Sequence, residues 1–274
     1  MANFKNKTIV ISGASRGIGR AIALKMAEQG ANIVILAKTK EPHAKLSGTI
    51  DTVAAEVAEL GAKSLALQVD VRSEDQIAQA VKTAVDTFGG IDILVNNASA
   101  ISLTKTLDTP AKRFDLMLGV NVRATFLCSQ ACLPYLVKST NPHILTLSPP
   151  LSLKPKWFKD HVAYTISKYG MSMCTLGMAE EFKQAGVAVN SLWPQTTIAT
   201  AAVEYNFPKE FLDASRTTDI MADAALVILS KNSREFTGNF CIDEKVLRET
   251  GVTDFDKYAV KPGKKLMTDL YVEN

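Results

Sequence analysis

Cysteine, an excess of charge of either sign and long apolar runs are all in short supply in this 274-residue chain. Cys128, Cys132, Cys174 and Cys241 are too few and too scattered for a disulfide framework, and with no Cys-x-x-Cys pair no metal site is expected. Cys128 and Cys132 stand four apart on an amphipathic helical pattern, which reads as core packing. Lysine and arginine total 31 against 28 acidic residues, a net charge of +3, so neither nucleic acid nor an anionic membrane is an expected partner. Any anion site must be local. No uninterrupted apolar run reaches the ~18 residues that span a bilayer, and the opening MANFKNKTIVISG has no leader for export. The expectation is a cytoplasmic protein with reduced thiols and no integral membrane segment. Gly/Ser linkers and internal repeats are absent as well, so residues 1–274 read as one domain.

What is present is alternation. Short runs rich in β-branched residues, at 8–12, 32–37, 64–69, 91–96, 143–148, 187–192 and 239–243, are separated by longer helical patterns. Strands apolar at consecutive positions are buried on both faces, as in a parallel sheet covered by helices. The fold class that follows is α/β: a single doubly wound Rossmann-type domain with a mainly parallel seven-stranded sheet. Ser73 and Gly89 bracket one helix, and Thr109-Pro110 opens another that runs to Tyr135. The connection 38–50 is longer than usual, and 195–218 shows little periodicity.

Between the first strand and the first helix lies SGASRGIG, with Gly13, Gly17 and Gly19. A diphosphate needs close backbone and a helix N-terminus with free N–H groups, and glycines remove the side chains that would block it. The second strand ends in Ala37 and Lys38, where an NAD site wants an acid for the ribose 2′-hydroxyl. With Arg16 in the glycine loop, two cations could flank a 2′-phosphate, which favours NADP over NAD. Asp70, after the third strand, is placed to accept from the adenine amino group. Asn96, Asn97 and Ala98 are placed to pass beneath the cofactor ribose.

In order along the chain, SGASRGIG, the Asp-Val at 70–71, NNAS at 96–99, NVRA at 121–124, Ser148 and YTISK at 164–168 resemble the motif set of the short-chain dehydrogenase/reductase superfamily. The resemblance covers about residues 7–243 and leaves 244–274 as a C-terminal extension. It implies catalytic roles for Asn121, Ser148, Tyr164 and Lys168. It also implies cofactor contacts at Gly13, Ser15, Arg16, Gly17, Ile18, Gly19, Lys38, Asp70, Val71, Asn97, Ala98, Tyr164, Lys168 and Pro194. Ile198 is added to these.

The chemistry agrees with the likeness. A tyrosine hydroxyl, with an unperturbed pKa of ~10, needs a nearby cation to act near neutrality. Lys168 lies four residues from Tyr164, on the same helical face. Ser148 would hold and polarise the substrate oxygen, and Asn121 would bind a water relaying protons to Lys168. A second Tyr-x-x-x-Lys, at Tyr205 and Lys209, has Pro208 inside its spacing and is a decoy. The implied function is hydride transfer between NADP(H) and a carbonyl or secondary alcohol substrate, with a homodimer or homotetramer as the assembly. The rival reading is a catalytically silent NADP(H)-binding regulator or scaffold.

Several positions depart from the family pattern. Gln195 follows Pro194 where glycine is usual, IDEKVLRETG replaces the usual Asp-Gly-Gly, Ser99 stands where glycine is common, and Pro149-Pro150 follows Ser148. These features and the 38–50 loop resemble the hydroxysteroid dehydrogenase-like branch. Some members of that branch resemble fusions to a C-terminal sterol-carrier domain, and none is expected within these 274 residues. The branch suggests a lipid-like or steroid-like substrate, with Pro149, Pro150, Leu151, Trp157 and Phe158 near the pocket mouth as either its wall or a packed lid.

Overall fold

The computed structural model describes residues 4–42 and 47–273; positions 43–46 of the long 38–50 connection lie outside the described residues. The chain alternates strand and helix through β1 (Thr8–Ser12), α1 (Gly17–Glu28), β2 (Asn32–Ala37), α2 (Ile50–Glu59), β3 (Ser64–Gln68), α3 (Glu74–Phe88) and β4 (Ile93–Asn96). Next come α4 (Ala111–Met117), a π turn over Leu118–Arg123, α5 (Ala124–Leu136), β5 (His143–Thr146), α6 (Val162–Glu181) and β6 (Ala188–Trp193). The last part holds α7 (Ala201–Asn206), α8 (Lys209–Asp213), α9 (Asp219–Leu229), β7 (Phe240–Ile242) and α10 (Asp243–Glu249).

The seven strands pair in the order β3-β2-β1-β4-β5-β6-β7, all parallel. Successive side chains on a strand point to opposite faces. Ile9, Ile11, Ile33, Ile35 and Val95 therefore pack with Ile22 and Met26 of α1 and Ile220 and Ile228 of α9. Val10, Val34, Leu94 and Ile144 face the other way, onto Ile77 and Val81 of α3 and Cys128 and Cys132 of α5. Strand order reverses between β1 and β4, and in such sheets the crevice beyond the carboxyl ends at that point is where ligands bind.

The helix signals at Ser73 and Gly89 are realised. Ser73 accepts from Gln76 N, and Gly89 closes α3 in the left-handed conformation at φ 85°. Other boundaries move for local reasons. β5 ends at Thr146, two residues before the expected 148: Leu147 N still bonds Asn96 O at 2.9 Å, but Ser148 N turns back to Thr146 O. Pro149 and Pro150 have no N–H with which to continue the ladder. Thr109 spends its hydroxyl on Lys105 O, and Pro110 is the N-cap of α4. The helix expected to run unbroken to Tyr135 is interrupted by the π turn, which contains Asn121.

Among the described residues, the run Ala111–Leu136 has the length and composition to cross a membrane, with a window of mean hydropathy 1.3. Here Cys128, Cys132 and Leu136 of that run are buried in the core.

Candidate active site

The turn after β1 is fixed by its neighbour across the switch point. Ser12 Oγ accepts from the backbone N–H of both Asn97 and Ala98 at 3.1 Å. Asn97 Nδ2 donates to Ser12 O and Gly13 O at 3.0 Å. The two loops come so close that a Cβ on Gly13, whose φ is +68°, would lie 2.8 Å from Ala98 Cα, and one on Gly19 would run into the Asn97 amide. These glycines are thus required by the protein itself. The N-cap residue Arg16 makes no side-chain cap bond to α1, which leaves first-turn N–H groups of the kind that can meet an anion such as a diphosphate. The cradle fits a dinucleotide, with Gly13, Ser15, Gly17, Ile18 and Gly19 along it. Asn97 reaches the cavity described below, but its amide is committed to holding the turn.

Arg16 and Lys38 take different positions. Arg16 donates through Nε to Ser47 O at 3.0 Å and through a terminal nitrogen to Gly48 O at 2.8 Å. Gly48 packs its backbone on Ser15 O, so the end of the 38–50 connection folds down onto the glycine turn. Lys38 Nζ lies 3.3 Å from Asp70 Oδ2, with Lys38 64% exposed at its side chain. The Asp70 carboxylate is gripped by Arg72, at 2.6 Å for the closest pair, which holds it well below the usual carboxylate range. Lys38, Gln68, Asp70 and Gln76 line a pocket at the ends of β2 and β3. Val71 is buried in the core under α3.

Tyr164 and Lys168 stand one turn apart on α6, both buried, and both line a cavity of about 290 Å³. Lys168 Nζ donates to Leu147 O at 2.6 Å, approaches Met171 Sδ at 3.3 Å, and lies 5.0 Å from the ring centroid of Trp193. Burial brings its pKa down to about 7, while the charge of Asp269 opposes that fall. Burial also pushes the Tyr164 hydroxyl well above its ordinary 10, helped by Tyr271 and Asp269. At neutral pH Tyr164 is a protonated phenol, able to donate. Pro194 and Ile198 line the same cavity, and Gln195 N is held by Asp243 Oδ1 at 2.8 Å.

Ser148 and Asn121 are not presented to that cavity. Ser148 is fully buried with its hydroxyl 2.9 Å from Ser191 Oγ on β6, which in turn donates to Thr175 Oγ1. It is not among the cavity's lining residues. The double proline turns the chain immediately after it. The Asn121 side chain bridges Ala100, accepting from its N at 2.7 Å and donating to its O at 3.0 Å, and also donates to Ser167 Oγ at 2.9 Å. It braces the loop after β4 against α6. The decoy pair is split between elements: Tyr205 lies on α7, and Pro208 is the N-cap of α8, which begins at Lys209.

Much of the cavity wall comes from segments with no sequence motif. Val203, Phe207 and Phe211 reach it from α7 and α8, and Met267, Asp269 and Leu270 from the C-terminal extension. Leu151, Trp157 and Phe158 instead pack around Tyr169 and Tyr271, behind the wall. A usable signal in the extension was the apolar pair Leu266-Met267 and the apolar run Leu270-Tyr271-Val272, after the charged KPGKK.

Residues 7–210 match the family model for short chain dehydrogenases. Over 266 residues the chain is 60% identical to hydroxysteroid dehydrogenase-like protein 2 of Danio rerio, covering 97% of this chain and 64% of that relative's length. A solved short chain dehydrogenase from Mycobacterium thermoresistibile superposes with a TM-score of 0.93 at 50% identity, covering 98% of this chain and 96% of that one. A metagenomic short-chain oxidoreductase solved in complex with NADP superposes with a TM-score of 0.73 at 25% identity, over 88% of this chain and 98% of that one. With the parallel sheet, the glycine turn and the Tyr164–Lys168 pair already in place, these matches make the chain a member of the short-chain dehydrogenase/reductase family of oxidoreductases, in its hydroxysteroid dehydrogenase-like branch.

Proposed function

We propose that the protein is an NADP(H)-dependent oxidoreductase that interconverts a carbonyl and a secondary alcohol on an apolar, lipid-like substrate. The carrying observation is that Tyr164 and Lys168, on consecutive turns of α6, share one largely apolar cavity with the mouth of the glycine turn. Bound NADP(H) supplies or accepts the hydride. The chain's part is to handle the proton. The Tyr164 hydroxyl donates to the substrate oxygen as the alkoxide develops, and the Lys168 ammonium beside it stabilises the phenolate left behind. Leu147 O fixes that ammonium. No step is assigned to Ser148, whose hydroxyl faces Ser191.

The cradle residues Gly13, Gly17 and Gly19 would hold the diphosphate, and Lys38, at a strand end without an acid, would meet the 2′-phosphate. Replacing Lys38 with Asp should weaken NADPH binding by about tenfold, the order of one charge-assisted contact. Tighter binding of NADH than NADPH by the unaltered protein would overturn the cofactor assignment. The apolar substrate rests on Phe207, Phe211, Met221, Met267 and Leu270 in the wall.

Tyr164→Phe should lower NADPH-dependent turnover of long-chain and steroid ketones by roughly 10²–10⁴-fold, the span of general acid catalysis, while NADPH fluorescence titration shows binding retained. Retained turnover sinks the assignment of Tyr164. No turnover of any ketone or alcohol by the unaltered protein, with NADPH still bound, establishes the silent binder in its place. The outer sides of α5 and α6 expose Phe126, Ile166, Met173 and Leu176, between 42% and 57%, and we propose that a second copy covers this face. A monomer in sedimentation velocity would refute that assembly.

A further inference from the structure

Residues 266–273 form a strap across the cavity. Met267 N donates to Ala214 O and Met267 O accepts from Thr197 N, both at 2.9 Å; Asp269 N donates to Gln195 O at 3.1 Å. Trp193 Nε1 fixes Leu270 O at 2.8 Å. Tyr271 then inserts its ring 5.3 Å from that of Tyr169 and 5.9 Å from that of Trp193, with its hydroxyl 3.0 Å from Thr165 Oγ1. Glu273 ends the strap on Lys154 at 2.6 Å. Asp269 is therefore held on both sides, and its own Oδ1 accepts from Leu270 N at 2.6 Å.

Among the described residues lining the cavity, Asp269 is the one carboxylate and Lys168 the one cation. Burial lifts the Asp269 carboxyl to about 7, with Asp243 adding to the rise and Lys168 resisting it. The same burial brings Lys168 down to about 7. The groups that face this pair are Tyr164 from α6, Asp243 from the start of α10 and Tyr271 from the strap itself. Gln195 and Trp193 are uncharged, and α7 and α8 offer apolar side chains to the cavity. Asp269 and Lys168 thus face one apolar cavity, and the charge of each favours the charged form of the other.

We propose that Asp269 is a positioning residue of the active site, whose carboxylate is the counter-charge that keeps Lys168 protonated and so keeps the Tyr164 phenol within working range. The inference rests on the oxidoreductase reading for its purpose, but not for its measurement. Without the carboxylate, a buried ammonium in an apolar cavity loses its proton at lower pH. Lys168 would then no longer stabilise the phenolate. The strap is thus wired into proton handling as well as closing the pocket.

The test is a pH titration of full-length protein labelled with ¹³C at lysine Cε, with Lys168 identified by the signal lost in Lys168→Met. In Asp269→Asn, whose amide oxygen can still accept from Leu270 N, the Lys168 midpoint should fall by about one pH unit or more. Asp269→Glu should restore part of it. The alkaline limb of kcat/KM for NADPH reduction of an aromatic α-diketone should move down with it. An unchanged Lys168 midpoint in folded Asp269→Asn overturns the proposal. Should Asp269→Asn not fold, reciprocity supplies the same answer: the Asp269 Cγ midpoint should rise in Lys168→Met by a matching amount, and no rise overturns it. The titration needs no turnover, so loss of the oxidoreductase reading through an active Tyr164→Phe would be seen separately.

Discussion

Around the glycine turn, polar groups are used up over short range: Ser12, Gly13, Asn97 and Ala98 bond one another across two neighbouring strand ends, with glycine wherever a side chain would collide. Around the substrate cavity the wall is assembled from α6, from α7 and α8, and from the strap at 266–273, joined largely by apolar side chains. The first region is backbone held at fixed spacing and suits a ligand that never changes. The second is a set of side chains on separate segments, whose shape can vary without disturbing the sheet. A family can thus keep one cofactor and vary its substrates.

The contrast can be broken most severely at Gly13. Gly13→Val forces a β-branched residue into φ +68° and against Ala98 Cα. NADPH affinity should fall by roughly 100-fold or more, as a backbone left out of register would imply, and calorimetry would report it. The substrate wall should tolerate more. Tyr271→Ala removes a buried ring and should cost about 3 kcal/mol in urea unfolding, in the range for large aromatic truncations, yet leave NADPH affinity nearly intact. If cofactor binding collapses with it, the two regions are not separable.

The smallest effect comes from a site that belongs to neither region. His143 on β5 is buried, and burial brings its pKa down to about 4 from 6.5, against the hydrogen-bonding partner Lys231 O. Its folded form disfavours the proton relative to the unfolded chain. Stability is therefore complete above pH 6.5 and is lost as pH falls toward 4, amounting to about 2 kcal/mol by pH 5. Thermal melts should show a flatter acid limb in His143→Gln, with cofactor affinity unmoved at neutral pH. An identical acid limb would contradict the assignment.

The cradle was legible in the sequence because its requirements are local: a β-branched run, three glycines and a helix start lie within 22 residues, at 8–29. Tyr164 and Lys168 were legible for the same reason, since four residues fix a helical face. Ser148 was not. Its hydroxyl direction is decided by Ser191, 43 residues away on the adjoining strand, and by the turn that two prolines impose. The 195–218 stretch looked aperiodic because its helices, of six and five residues, are too short to display a period. The strap was hidden by distance. Tyr271 meets Thr165 across 106 positions, and nothing near 271 in the sequence announces that partner.

Synthesis from the N-terminus delivers these parts in a fixed order. The sheet's last strand, β7, is complete at Ile242, so a growing chain possesses its glycine cradle and its Tyr164–Lys168 pair well before Tyr271 leaves the ribosome. Until then Trp193, Tyr169 and Phe158 lack the ring they pack against or surround, and the cavity has an open side. The strap acts as a quality mark on this domain: a chain cut short before residue 266 keeps the glycine cradle but has no enclosed chamber beside it.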